Sequence, residues 1–227
     1  MQTAHPRHAF LFDLDGTLVD SVYQHVLAWK AALDAEGIEL SIWRIHRRIG
    51  MSGSLFANQL LRETGLSLSP ERLDRLRRNH ADAFRARAAE IRPLPGAKQL
   101  LAWLSTHDIP WAIATSGRMA TAAQNLSVLG VDPARAVVVT RDEVKYAKPD
   151  PDLFLAAADK LGVPIESAIV VGDSIWDMLA AARCHGLGVG LLSGGYGPDE
   201  LRHAGAIRVY DDPADLLAHI DEVGGRR

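Results

Sequence analysis

Two carboxylates stand two residues apart at the end of an apolar run near the start of the chain. Asp13 and Asp15 follow the run at 9–12, and Gly16 comes directly after them. In a strand, residues two apart point to the same face, so both side chains would lie together at the strand tip. Carboxylate oxygens suit hard cations, and glycine permits a tight turn. The segment by itself predicts either a cation site that acts on an anion or a plain surface turn.

Further polar side chains follow the apolar run at 111–115 and precede the helix that begins near Asp152. Thr115, Ser116 and Gly117 precede a helical pattern, where a hydroxyl and backbone N–H groups could bind phosphate or simply cap the helix. Lys148 is restrained by Pro149, so it could neutralise a phosphoryl oxygen from a rigid loop, or be an ordinary surface lysine.

Two more carboxylates complete the set. Asp173 ends an apolar run as Asp13 does, and Asp177 lies one helical turn further on. Carboxylates that converge without His or Cys partners suit Mg²⁺ better than zinc. For Asp173 taken alone, a helix N-cap is the alternative interpretation.

The elements that must position these groups alternate along the chain. Apolar runs predict strands at 9–12, 111–115, 136–140, 168–172, 187–192 and 206–210. Helical patterns lie at 97–106, 118–129, 152–161, 174–185, 199–203 and 215–223. Continuous apolar runs are typical of parallel strands covered on both faces, so the alternation predicts an α/β fold with a doubly wound parallel sheet.

Residues 20–90 interrupt this alternation. Helical patterns occupy 21–36, 55–63 and 71–89, with no strand pattern between them, and the Pro- and Gly-rich 93–96 marks the return to the core. Because the block follows the first strand, it would lie above the carboxyl end of the sheet. We therefore predict a core of residues 1–19 and 91–227 with an inserted all-helical cap of residues 20–90.

Composition limits the classes of partner. The net charge of -3 gives no reason to expect a nucleic-acid or membrane binder, and acidic residues interleave with the arginines of 72–87, as on a solvated helix face. Cys184 is the single cysteine, which excludes an intrachain disulfide and fits a reducing compartment. The polar N-terminus indicates no targeting segment, and no apolar stretch is long enough to span a membrane. We expect a cytoplasmic protein without an obligate protein partner.

Together these segments resemble the haloacid dehalogenase-like hydrolase superfamily, in the branch of phosphoglycolate phosphatases and β-phosphoglucomutases with a helical cap after the first strand. The stretch from Asp13 to Ser21 matches the first motif, and Thr115 the second. Lys148-Pro149 matches the third motif, and 172–177 the fourth. The resemblance spans nearly the whole chain and implies a Rossmann-like core.

The resemblance also implies a mechanism. Asp13 would form an aspartyl-phosphate, while Asp15 would protonate the leaving oxygen and later deprotonate water. Mg²⁺ would be held by the side chains of Asp13 and Asp173 and by the backbone carbonyl of Asp15. Asp177 would act through a water or from behind the direct ligands. The residues that would hold the phosphoryl oxygens are Thr115, Ser116, Gly117 and Lys148.

Asp15 separates branches of this family. Members that cleave carbon–halogen bonds or phosphonates lack a carboxylate there, so the resemblance favours a phosphatase of small phosphorylated metabolites. The segment His25-x-x-x-Trp29 resembles the same region of the β-phosphoglucomutase group, which phosphatases with this cap often share. His25 could contact substrate there, or it could simply pack inside the cap.

A phosphosugar mutase is the alternative enzyme, and a catalytically silent binding module is the alternative of another class. Against the mutase, Ile49 and Gly53 occupy the places of its basic residues, and Arg47 and Arg48 are out of register. Phosphoglycolate, sugar or polyol phosphates and nucleotides remain open as substrates.

Overall fold

The computed structural model of the chain describes residues 8–225, with the backbone alone described at positions 54, 61 and 64. The first seven residues, which enter the expectation of no targeting segment, lie outside this range. The strands are β1 (Ala9–Phe12), β2 (Val19–Asp20), β3 (Arg92–Pro93), β4 (Trp111–Ala114), β5 (Val137–Val139), β6 (Ala168–Gly172), β7 (Leu187–Leu191) and β8 (Ala206–Tyr210). All except β2 and β3 form one parallel sheet in the order β5-β4-β1-β6-β7-β8.

The helices begin and end close to where periodicity places them. Within the described residues they are α1 (Val22–Ala35), α2 (Ile42–His46), α3 (Gly53–Thr64), α4 (Pro70–Arg85), α5 (Ala97–Thr106), α6 (Met119–Leu129), α7 (Asp152–Leu161), α8 (Ile175–Arg183), α9 (Pro198–Ala204) and α10 (Pro213–Ala218). None of them combines the length and the apolar character that a bilayer-spanning helix requires.

Alternation along β1 shows how the sheet is covered. Phe10 and Phe12 belong to an apolar cluster with side chains of α5, α6 and α10, whereas Leu11 belongs to a second cluster with α7 and α8. All four residues of β1 are buried, as expected for a central strand with helices on both faces. The doubly wound, Rossmann-like α/β core is therefore confirmed.

The helices α1 to α4 form a separate apolar cluster above the carboxyl end of the sheet, with Val26, Leu33 and Phe56 among its buried members. The chain enters this helical cap through β2 and leaves it towards β3, and the two strands pair antiparallel, with Val19 opposite Pro93. Both connections between the cap and the core therefore lie side by side.

The structure differs from the sequence prediction in several short elements, of which three are helical. The prediction missed α2, because its five residues make little more than one turn and show no period. The predicted helix 71–89 ends at Arg85 and is followed by a 3₁₀ turn at Ala88–Glu90. The predicted helix 215–223 is α10 followed by a 3₁₀ turn at Ile220–Val223, and α10 starts early because Asp212 caps it by accepting from the backbone N–H of Ala214.

Candidate active site

Three carboxylates meet where β1 and β6 end side by side. Asp13 follows β1, Asp173 follows β6, and Asp177 lies in the first turn of α8. One oxygen from each can be chosen so that all three lie within 4.8 Å of one another, and all three side chains are buried. The parallel pairing of β1 with β6 brings the first two together, and the backbone N–H of Asp13 donates to the Val171 carbonyl at 2.9 Å.

Lys148 is the cation that the structure places against this group. Its ammonium Nζ lies 2.5 Å from Asp13 Oδ1 and 2.8 Å from Asp177 Oδ1, and the side chain is fully buried. The other Asp177 oxygen accepts from the backbone N–H of Ser174 at 3.1 Å and from its hydroxyl at 2.5 Å. Both oxygens of Asp177 are thus engaged, so this carboxylate orients Lys148 and the start of α8.

Asp173 is oriented from the loop that follows Asp15. The Thr17 hydroxyl donates to Asp173 Oδ1 at 2.8 Å. Gly16 has φ +85°, and a Cβ at this position would lie 2.5 Å from Asp173 Oδ2. Only glycine combines this backbone conformation with so close an approach to a carboxylate.

Burial sets the electrostatics of the carboxylate group. Burial, helped by the charges of Asp177 and Asp15 and opposed by Lys148, raises the pKa of Asp13 to about 7. Burial and the charges of Asp177 and Asp13 likewise raise the pKa of Asp173 well above its ordinary value. Three buried carboxylates facing one ammonium leave negative charge uncompensated, and their hard oxygen donors fit Mg²⁺.

Asp15 lies apart from the three and is held differently. Its Oδ1 accepts from the Ser21 hydroxyl at 2.6 Å and from Asn125 Nδ2 at 2.6 Å, and His25 Nε2 lies 3.3 Å away. Burial acts to raise the pKa of Asp15, but the charge of His25 and these hydrogen bonds outweigh it and lower the pKa below its ordinary value. The pKa values of Asp13 and Asp15, two neighbouring carboxyl groups of one site, are therefore shifted in opposite directions.

The loop after β4 faces the carboxylates across a cavity of about 400 Å³ that Asp13, Asp15 and residues 115–117 line. The Gly117 N–H donates to Thr115 Oγ1 at 3.0 Å, and Ser116 Oγ is buried with no hydrogen-bond partner within residues 8–225. A hydroxyl pair and backbone N–H groups at the start of α6 form a cradle suited to an anion.

The cap side of the cavity is aromatic. Trp29 is stacked between Phe56 and His80, with ring centroids 4.3 and 4.1 Å away. His25 stacks on Phe84 at 3.8 Å, and its Nδ1 lies 3.2 Å from His80 Nε2. His25 packs within the cap, and it also lines the cavity and contacts Asp15.

The cap is docked on the core around the same cavity. His46 Nε2 lies 2.8 Å from the Gly194 carbonyl, and the Ser52 N–H donates to the Lys148 carbonyl at 3.0 Å. Arg47 pairs with Glu200 of α9 across the same boundary. These contacts hold the loop between α2 and α3 over the carboxylates.

The structure brings the sequence-predicted site residues to this one place, with Asp15 and His25 beside the carboxylate cluster rather than in it. Sequence reasoning missed the groups that orient them: Thr17, Ser21, His80, Asn125 and Ser174. One of these left a signal, since Asn125 interrupts the buried face that Ala122, Leu126 and Leu129 form on α6. It also missed that Arg77, within the predicted solvated face, lines the cavity while pairing with Asp74.

Comparisons with known proteins show which family the chain resembles. A sequence model of the haloacid dehalogenase-like hydrolases matches residues 8–185. The chain is 35% identical over 184 residues to hexitol phosphatase A of Escherichia coli, covering 79% of this chain and 82% of that one. A solved hydrolase from Pseudomonas syringae is 58% identical with a TM-score of 0.94, covering 96% of this chain and 99% of that one.

A β-phosphoglucomutase structure from Clostridium difficile is 24% identical, with a TM-score of 0.82 over 94% of this chain and 95% of that one, and shows the fold alone. The match of the family model over residues 8–185 confirms the family resemblance that the motifs carry.

Proposed function

The chain belongs to the haloacid dehalogenase-like hydrolase family, and we propose that it is a Mg²⁺-dependent phosphatase of small phosphate monoesters. The observation that supports this best is the buried meeting of Asp13, Asp173 and Asp177 with Lys148, next to a cavity that Asp15 lines. A nucleophile, a separate proton carrier and a surplus of hard oxygen ligands are what phosphoryl transfer to a carboxylate requires.

The proposed reaction has two displacements at phosphorus. Asp13 attacks in line, so its bond to phosphorus forms as the ester oxygen leaves with a proton from Asp15. Since the pKa of Asp15 is lowered in the empty site, Asp15 takes up this proton when the anionic ester binds beside it. Asp15 then takes a proton from the water that cleaves the aspartyl-phosphate. Thr115, Ser116 and the backbone of 116–117 bind the phosphoryl oxygens, and Lys148 holds Asp13 and adds positive charge where the phosphoryl group arrives.

Mg²⁺, when bound, supplies positive charge that offsets the developing charge on the phosphoryl oxygens. Asp13 and Asp173 would hold it with their side chains, and Asp15 with its backbone carbonyl. Asp177 would lie behind these direct ligands, since one of its oxygens accepts hydrogen bonds from Ser174 and the other pairs with Lys148.

Removal of the metal gives the first test. We expect EDTA to silence the enzyme and Mg²⁺ to restore it, because Lys148 alone does not balance the charge of three buried carboxylates. Mg²⁺ at about 100 times its Kd should stabilise the folded wild type by about 2.7 kcal/mol. Asp173→Asn should abolish most of this stabilisation. Asp150→Asn, which removes a half-exposed carboxylate paired with Arg183, is the matched control. Full activity in EDTA, or rescue by zinc alone, would contradict the metal assignment.

The nearby arginines favour hydrolysis over the mutase alternative, because their side chains are already paired with protein groups. Arg47 pairs with Glu200, and Arg48 pairs with Glu63 and donates to the Arg44 carbonyl. Arg48 lines the cavity with its guanidinium held by these partners, and Ile49 and Gly53 line it next along the chain. Product analysis with a sugar monophosphate separates the two activities, because a phosphatase releases inorganic phosphate and a mutase yields the isomer.

A catalytically silent module is the remaining alternative. Loss of Asp13, Asp15, Lys148 or Asp173 would favour it, and all four are present. Turnover of a generic aryl phosphate with and without Mg²⁺ distinguishes an enzyme from a binding module.

The substrate class proposed is a compact phosphorylated metabolite. A cavity of about 400 Å³ that Trp29 and Phe56 help to line accommodates a small ester and not a folded phosphoprotein. The similarity to a hexitol phosphatase makes hexitol and sugar phosphates the first compounds of a panel that also includes phosphoglycolate and nucleotides. Comparison of kcat/KM across this panel tests the proposal, and a preference for phosphoproteins would contradict it.

We further propose that residues 20–90 move as one cap on the paired strands β2 and β3, closing over the substrate and reopening for release. Gly50 provides the test. It has φ +93°, and a Cβ there would lie 2.8 Å from Ser174 Oγ of the core. We expect Gly50→Ala to hold the cap loop away from the core and lower kcat/KM by about 10- to 100-fold, as small misplacements do.

The matched control is Gly37→Ala. Gly37 also has a positive φ, +66°, but a Cβ there meets nothing within 4 Å. Both variants therefore carry the backbone strain of about 1 kcal/mol, and only Gly50→Ala disturbs docking. Equal kinetics of the two variants would contradict the role assigned to the loop.

A further inference from the structure

The two oxygens of Asp15 have unequal surroundings. Oδ1 receives the Ser21 hydroxyl and Asn125 Nδ2, each at 2.6 Å, and His25 Nε2 lies 3.3 Å away. The Ser21 hydroxyl and the Asn125 amide together fill the acceptor capacity of one carboxylate oxygen, which has two lone-pair sites. Oδ2 lies toward the phosphate-facing loop, where a Cβ placed on Gly117 would come within 4.0 Å of it.

Asn125 is costly where it stands. Its side chain is 1% exposed on α6, on the same helix face as the buried Ala122, Leu126 and Leu129. Its Oδ1 is buried without a hydrogen-bond partner among the described residues. An unsatisfied buried acceptor costs about 1–3 kcal/mol, so the amide costs stability at this position. The contact that it makes in return is the one to Asp15.

We propose that Asn125 is a positioning residue that, with Ser21, selects Oδ2 of Asp15 as the oxygen that carries the proton. The inference rests on the proposed phosphatase function and deepens it. Because Oδ1 is saturated by donors, a proton placed there would meet other hydrogens instead of lone pairs. The carboxyl plane is thereby fixed with its one protonatable oxygen turned to the cavity.

The proton balance of both steps then runs through one atom. In the first step the bond from Asp13 to phosphorus forms, the bond from phosphorus to the ester oxygen breaks, and that oxygen takes the proton from Oδ2. In the second, a water oxygen attacks phosphorus, the water proton goes to Oδ2, and the bond to Asp13 breaks. Asn125 touches neither the substrate nor a reacting atom, and acts through Asp15.

The test uses the dependence of rate on the leaving group. Asn125→Leu removes the donor and the orphaned acceptor at similar volume, so the variant should fold at least as stably as the wild type. Single-turnover formation of the phosphoenzyme should fall about 10²-fold for an alkyl phosphate, whose leaving oxygen needs a proton, as expected when general acid catalysis is impaired. It should change less than about 3-fold for a dinitrophenyl phosphate, whose leaving group departs without one.

Two comparisons make the result specific. Gln124→Leu makes the same kind of change at an exposed position of the same helix and should leave both rates unchanged. In an Asp15→Asn background, Asn125→Leu should cause no further loss, because the two residues act through one carboxylate. Ser21→Ala should show the same selectivity for poor leaving groups, and it carries the test should Asn125→Leu not fold.

The possible results distinguish a failure of the positioning role from a failure of the proposed phosphatase function. Equal losses for alkyl and aryl esters, additive losses with Asp15→Asn, or no loss at all would overturn the positioning role while leaving a working phosphatase. A wild-type protein that hydrolyses neither ester with Mg²⁺ present would overturn the phosphatase function and the inference with it.

Discussion

Asp13→Asn is expected to lower kcat for phosphate esters by about 10⁴-fold or more, the loss typical of removing a covalent nucleophile. An amide at this position cannot form the aspartyl-phosphate, and Ser21 and Asn125 hold the Asp15 carboxylate apart from the carboxylate cluster. Steady-state turnover of an aryl phosphate measures the loss. Acid-quenched wild-type enzyme, digested and examined by mass spectrometry, should carry the phosphate on the peptide that contains Asp13.

The folded state should survive this change. Burial already raises the pKa of Asp13 to about 7, which shows that the charged form is held there at a cost in free energy. Asparagine is nearly isosteric and uncharged, so the thermal midpoint in chelator should be equal to or above that of the wild type. Residual activity above about 1% of wild type, in protein shown to be free of wild-type contamination, would contradict a nucleophilic role. Asp132→Asn, at an exposed carboxylate, is the control.

Continuous apolar runs made the sheet predictable. The run at 9–12 coincides with β1, and 168–172 with β6, because buried parallel strands have no polar face to confuse the pattern. The order of the strands in space follows from the doubly wound topology, and it is this order that places Asp13 beside Asp173. Residues at strand ends could therefore be assigned to one site before their contacts were known.

Contacts between distant elements were not predictable in the same way. Asn125 lies 110 positions from the Asp15 carboxylate to which it donates, and the local sequence of α6 does not predict this contact. Lys148 could be expected at the site, but its placement between Asp13 and Asp177 depends on how three loops pack together. The pairing of β2 with β3 likewise joins residues far apart, in segments too short to show a strand pattern.

Lys148→Met is expected to impair both stability and turnover, the largest combined effect of any single change at this site. The variant keeps an unbranched side chain, one atom shorter, and removes the charge that lies 2.5 Å from Asp13 and 2.8 Å from Asp177. Breaking a buried ion pair by removing one partner costs about 3–5 kcal/mol, because the other charge is left uncompensated. Denaturant unfolding in chelator, at mildly alkaline pH above the Asp13 pKa of about 7, should show a loss of this size.

The metal should separate the two consequences of that substitution. Since the carboxylates of the variant face no ammonium, Mg²⁺ should raise the thermal midpoint of Lys148→Met more than that of the wild type. Turnover should nevertheless stay low by about 10²- to 10³-fold at saturating Mg²⁺, because the ion does not replace the positive charge that Lys148 places on the nucleophile and the arriving phosphoryl group.

A control variant and a double mutant test whether the effects of Lys148→Met come from the loss of its charge at the carboxylates. Lys145→Met removes an exposed ammonium that lies over the Tyr146 ring and should change neither stability nor rate. Adding Asp13→Asn to Lys148→Met should recover part of the lost stability and none of the activity, since it removes one of the uncompensated charges together with the nucleophile. A Lys148→Met protein as stable in chelator as the wild type would show that the carboxylates do not depend on this lysine. This result would contradict the charge balance between Lys148 and the buried carboxylates, from which both the metal site and the role of Asp13 are argued.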